Sequence, residues 1–221
     1  MAEIFDRAAV FPIIRRRGLF EEICGTGCFA GPDGLVLTCS HLRESAPEAS
    51  YLLSLQPYDL KELIEIHWLV IDTDLDLAIG HIGDGVDTPC LPLPAEWKSE
   101  PGTATLVPGF RYLTYRDLHG GYSHAGAALE IISGTYLRHF NEVTVPAGPR
   151  YASKTMPVIV TTPSLVPGFS GAPVLNASGE LIGVHSNSAQ SSASSESVAL
   201  SVRLDAIADM IKAARRPPPG P

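Results

Sequence analysis

Apolar residues along the chain recur in short, β-branched runs, and Gly, Pro, Asn and Asp punctuate them. These runs predict strands over Gly25–Ala30, Leu35–Thr38, Ser50–Leu55, Glu65–Ile71 and Leu77–Ile82, with Pro32-Asp33-Gly34 as the turn between the first two. A proline-rich crossing, Pro89 to Pro94, precedes a second series: Thr103–Pro108, Ala128–Tyr136, Val158–Thr162, Pro173–Asn176, Leu181–His185 and Val198–Val202. One segment has helical spacing: Leu204, Ile207, Met210, Ile211 and Ala214 recur on one face. Asp205 lies early and Lys212, Arg215 and Arg216 late, as the helix dipole favours, and Pro217 to Pro219 end it. The pattern is all-β with a C-terminal helix. Periodicity alone leaves sandwich and paired-barrel arrangements open. The stretch Ser186 to Ser197 is rich in Ser, Asn, Ala and Gln, too polar to bury, and is expected to be a mobile loop.

Composition narrows the function classes. The 221 residues suffice for one large domain or two packed halves, and 45% hydrophobic content excludes a largely disordered chain. A net charge of −8 argues against nucleic acid or an anionic membrane as the main partner. Pro12 and then Arg15, Arg16 and Arg17 interrupt the N-terminal apolar stretch, so no run reaches membrane-spanning length. That basic cluster follows the apolar residues, the reverse of a secretory signal, and cytoplasmic residence is the expectation. Cys24, Cys28, Cys39 and Cys90 do not read as a disulfide framework and are expected to be free thiols.

Candidate chemistry gathers at three places. Ser170 lies in Gly168-Phe169-Ser170-Gly171-Ala172-Pro173, where the flanking glycines permit a backbone tight enough to aim successive N–H groups at one point. His41 falls just past the apolar run Leu35–Thr38. Asp76 immediately precedes another such run, with Asp72 and Asp74 as rivals. A serine hydroxyl is a poor nucleophile unless a base is within reach and a carboxylate orients that base, and the chain supplies all three groups. A zinc reading of Cys24, Cys28, Cys39 and His41 has acceptable ligand types but poor spacing, and buried free cysteine is favoured. The other histidines (His67, His81, His119, His124, His139, His185) show no paired helical spacing, and Trp68 and Trp97 read as core or strand-edge aromatics.

Together, Gly25-Thr26-Gly27, Gly34-Leu35-Val36-Leu37-Thr38 with His41, Asp76-Leu77-Ala78, Gly168 to Pro173 and Leu181-Ile182-Gly183-Val184 resemble the chymotrypsin-like serine proteases, and within them the HtrA/Deg branch. The order His, Asp, Ser is that of the chymotrypsin arrangement. The resemblance implies two six-stranded antiparallel β-barrels with a site in the cleft between them: residues 1–95 carrying His41 and Asp76, residues 96–203 carrying Ser170, and residues 204–221 forming the helix and tail. It implies Ser170 as nucleophile, His41 as general base and acid, Asp76 as the group orienting His41, and the N–H groups of Gly168 and Ser170 as an oxyanion hole. Ser186, Asn187 and Ser188 match the strand that pairs with an extended substrate. The side-chain pocket would be lined near Ser164, His185 and Ser197, without the acidic floor of an Arg/Lys-selective protease.

The function so implied is a serine endopeptidase acting on protein or peptide substrates, with no cofactor. Three departures matter. Ala172 replaces a glycine. Phe169 stands where secreted members place an Asp that receives a new N-terminus. No PDZ domain is expected after the helix. Control is therefore expected from elsewhere, including an activating protein partner. The alternative class is a non-catalytic peptide-binding or scaffolding module of the same fold.

Overall fold

The computed structural model describes residues 4–31, 34–44, 46–54, 62–83, 86–95, 100–116, 122–145, 153–190 and 197–214, with the side chains of residues 20, 112–116 and 122–127 outside that description. Pro32 and Asp33 of the expected turn, Trp97, His119, the prolines after the helix and the side chain of His124 also lie outside the described residues.

The first half contains β1 (Val10–Arg17), β2 (Phe20–Ala30), β3 (Leu35–Thr38), the single-turn helix α1 (His41–Glu44), β4 (Ser50–Leu53), β5 (Ile64–Glu65), β6 (His67–Asp72) and β7 (Leu77–His81). The strands form one seven-stranded sheet in the order β5-β4-β1-β2-β3-β7-β6. The second half contains β8 (Ala104–Arg116), β9 (Tyr122–Val145), β10 (Lys154–Thr162), β11 (Pro173–Asn176), β12 (Leu181–Gln190) and β13 (Ser197–Arg203), closed into a barrel in the order β10-β13-β12-β11-β8-β9. The helix α2 (Leu204–Ala214) follows directly.

The expected all-β architecture with a C-terminal helix is present, and among the described residues the sheet of the first half has seven strands. The additional strands have physical reasons. β1 is buried from Val10 to Arg15 because it lies between β2 and β4, so a continuous apolar run encodes it without alternation. Residues 186–190, expected as loop, extend β12, since Asn187 to Gln190 pair with Ser197 to Leu200 and backbone pairing holds a strand whose side chains are polar.

One apolar core unites the halves. Val10, Leu37, Leu77 and Ile79 from the first sheet cluster with Val158, Val184 and Val202 from the barrel and with Ile207, Met210 and Ile211 of α2. The proline-rich crossing serves both sides: Leu91 bridges to Ala30, and Pro92 O accepts the N–H of Leu181 at 2.9 Å. No described helix is long and apolar enough to cross a membrane.

Candidate active site

Strand β3 ends at Thr38, and the chain turns through Cys39 and Ser40 into α1, which places His41 just past the end of an interior strand with its side chain 16% exposed. Asp76 stands just before β7, the neighbour of β3, and adopts a left-handed φ of 56°, a conformation that Asp tolerates better than most residues. The two meet: His41 Nδ1 lies 2.9 Å from Asp76 Oδ2, and the His41 backbone N–H donates to Asp76 Oδ1 at 3.0 Å. The sequence rivals lie elsewhere. Asp72 Oδ1 accepts the N–H groups of Asp74 and Leu75 in a local turn, and Asp74 is exposed.

Asp76 is buried, with 1% of its surface exposed, and its carboxylate is densely partnered. Ser186 Oγ donates to Oδ2 at 2.5 Å, and Lys154 Nζ donates to Oδ1 at 2.7 Å. Burial opposes the ionised form, but the His41 hydrogen bond and the Lys154 ammonium outweigh it and hold the carboxyl well below its ordinary range. Burial pushes the neighbouring Cys39 thiol well above its ordinary value, reinforced by the Asp76 charge, so it stays protonated. Its Sγ lies 3.6 Å from His41 Nε2.

The Ser170 segment is built by glycines that no other residue replaces. Gly168 has φ 103° and a Cβ there would meet Phe110 O at 2.2 Å; Gly171 has φ 85° and a Cβ there would meet Thr38 Oγ1 at 2.1 Å and Thr26 O at 2.2 Å. The absent side chains let the serine turn lie against β2 and the end of β3, three residues before His41. Thr26 locks this approach: its N–H donates to Ser170 O at 2.8 Å and its Oγ1 donates to Gly168 O at 2.7 Å. Phe169 is fully buried with Tyr136, Ile159 and Val174 in the barrel interior. Ser170 itself is half-buried.

The expected substrate-binding residues divide. His185 exchanges backbone hydrogen bonds with the serine turn, accepting from Gly171 N and donating to Ala172 O, both at 2.8 Å. Its ring is buried with Nδ1 unpartnered, and burial pushes its pKa down to about 3. Ser186 faces Asp76, whereas Asn187 is half-buried and Ser188 exposed farther along β12. Ser164 is half-buried just past β10. Ser197 lies apart, exposed opposite Gln190; the residue across from His185 is Ser201.

Among the described residues, Cys39, His41 and Asp76 form the group with potential ligand atoms within 4.8 Å of one another. Cys24 and Cys28 are not part of it, so the zinc set weighed from sequence is not assembled. His41 and Asp76 already direct Nδ1 and Oδ2 at each other. All four cysteines are free.

Sequence reading missed Lys154, Glu44 and Ser40. A usable signal existed for the lysine. In Lys154-Thr155-Met156-Pro157-Val158 it shares the strand face of Met156 and Val158, a cation on an inward apolar stripe.

A comparison with curated protein sequences returns no significant match. Among solved structures the chain is similar to the Rv3671c protease from M. tuberculosis in its active form, at 19% identity and TM-score 0.70, covering 97% of this chain and 84% of that one. It is similar to the MamO protease domain from Magnetospirillum magneticum at 16% identity and TM-score 0.66, covering 92% and 95%. It also matches the HtrA-type protease AlgW with tripeptide at 17% identity and TM-score 0.66, covering 93% of this chain and 60% of that one. These likenesses establish the fold, and a family model for the trypsin-like peptidase domain matches residues 25–184. With 160 of its 221 residues inside that match and the fold agreeing, the chain belongs to the trypsin-like peptidase family.

Proposed function

We propose that the chain is a serine endopeptidase in which Ser170, His41 and Asp76 form the catalytic triad. The observation that carries this reading is the 2.9 Å contact from His41 Nδ1 to a buried, ionised Asp76, which fixes the imidazole with Nδ1 as donor and leaves Nε2 as the basic nitrogen. Ser170 Oγ attacks a peptide carbonyl while His41 takes its proton; the N–H groups of Gly168 and Ser170 hold the oxyanion. His41 returns the proton to the leaving amine, and water then releases the acyl group. Ser186 to Ser188 on β12 pair with the extended substrate, and Ser164 and His185 border the side-chain pocket, from which Ser197 stands apart. Residues 1–95 and 96–203 act as the two catalytic halves. The four unbridged thiols suit a reducing cytoplasm.

The test is covalent labelling with a fluorophosphonate. Labelling that disappears in Ser170→Ala and in His41→Ala supports the reading. A pure, folded protein that binds peptide without labelling or cleavage would favour the non-catalytic module, and labelling only on addition of a second protein would favour a latent, partner-activated protease.

A further inference from the structure

We propose that Lys154 is a positioning residue for the His41–Asp76 pair, an ammonium from the barrel that fixes Asp76 and cancels the charge of Glu44 beside it. This rests on the endopeptidase reading of the same site and adds a fourth group to it.

Lys154 opens β10, and 3% of its side chain is exposed. Its Nζ reaches three oxygens of the other half: Asp76 Oδ1 at 2.7 Å, Glu44 Oε1 at 2.5 Å and Ser40 Oγ at 3.1 Å. Ser40 Oγ in turn lies 2.7 Å from Glu44 Oε1 and 3.1 Å from Asp76 Oδ1, so its single proton links the carboxylates. Each oxygen of Asp76 is thereby assigned. Oδ2 faces His41 and Ser186, and Oδ1 faces Lys154, Ser40 and the His41 backbone. Rotation of the carboxylate would break partners at both ends.

Charge accounting explains why a cation belongs here. Among the described residues, the titratable groups around His41 include Cys39 from the end of β3, Glu44 from α1, Asp76 before β7, Lys154 from β10 and His185 from β12. Burial keeps Cys39 and His185 neutral, which leaves two carboxylates and one ammonium, a net charge of −1. A buried Asp alone would supply the same charge. Without Lys154 the imidazole would face −2, and its protonated form would be stabilised on the side where a general base must be neutral. Burying an ammonium is costly unless it is paired and hydrogen-bonded, and here it is both.

The experiment compares wild type, Lys154→Met, Glu44→Gln and the double variant Lys154→Met/Glu44→Gln by the pH dependence of the fluorophosphonate labelling rate. Lys154→Met is expected to move the acidic limb upward by about one pH unit, because two uncompensated carboxylates favour the imidazolium. The double variant restores the net charge of −1 and should bring the limb back toward wild type. An unmoved limb in Lys154→Met, or a shift that Glu44→Gln does not reverse, would overturn the proposal; a purely structural lysine would lower the rate equally at every pH. A second readout needs no turnover: in Ser170→Ala, the low-field proton NMR signal of the His41 Nδ1–H should move downfield in Lys154→Met and return in the double variant. If wild type never labels, the endopeptidase reading fails while this signal still decides the role of Lys154.

Discussion

Thr26 and Gly168, 142 positions apart, are joined by a 2.7 Å hydrogen bond from the threonine hydroxyl to the glycine carbonyl, and the same hydroxyl accepts the N–H of Phe110 at 2.9 Å. One buried side chain thus ties β2 of the first sheet to the serine turn and to β8 of the barrel. Thr26→Val keeps the shape and removes both bonds, leaving a buried donor unsatisfied. It should cost about 1–3 kcal/mol in urea unfolding. Because the serine turn loses an anchor, the labelling rate should also fall, by at least about tenfold.

Asp76→Asn should leave the chain folded and lower the labelling rate by about three to four orders of magnitude, since an amide permits the wrong imidazole tautomer. Labelling kinetics beside a circular dichroism spectrum check this. Asp72→Asn and Asp74→Asn should label like wild type, because Asp72 closes its own turn and Asp74 faces solvent.

Acid should destabilise the protein in two successive, partly overlapping windows. Burial lowers the pKa of His185 to about 3, below an ordinary value of about 6.5. The unfolded chain therefore binds the extra proton first, and stability present above about pH 6.5 is lost as pH falls toward 3. Asp76 acts lower down. Its carboxyl is depressed in the folded state, so its contribution is complete above the ordinary carboxylate range and disappears as pH falls through and below that range. Urea midpoints measured across pH should show both slopes, and His185→Gln should flatten only the upper one.

Gly171→Ala should destabilise the protein by more than about 2 kcal/mol, combining a left-handed φ with a steric conflict against Thr38 and Thr26. Thermal unfolding would show this directly, and Ser178→Ala, an exposed change in the same half, provides the control.

Thiol chemistry offers an independent check on the core. Burial raises the Cys24 thiol to about 12, and raises Cys28 and Cys39 as well. These three should resist thiol reagents at pH 8 in the folded protein and react once it is denatured. Rapid native labelling of Cys39 would contradict its packing beside His41.

Much of this architecture was legible in local pattern. Leu35–Thr38 and Pro173–Asn176 form strands with the bounds expected of them, because each is a short apolar run between turn residues. The long β8–β9 hairpin was read only near its base, since its outer residues alternate weakly and are held by pairing with each other over thirteen register positions. The site was legible where chemistry coincides with a strand end, as at His41 and Asp76. It was legible only in part where a side chain acts across the interface: the apolar stripe that holds Lys154 marks it as inward-facing, but nothing near it in sequence announces that its partners lie 78 and 110 positions away. The same limit hid the pairing of His67 with His81, which neighbouring strands bring to 5.4 Å between ring centres.

The division of the site between two halves has a consequence for biosynthesis. The imidazole and its carboxylate have both been synthesised by residue 76, and Ser170 follows 94 residues later. The glycines that seat the serine turn, and the lysine that steadies the carboxylate, come from the later part as well. A polypeptide that stops short of the second half therefore carries the His41–Asp76 pair without Lys154 and without the serine turn, and the proposed site is assembled only once the barrel docks.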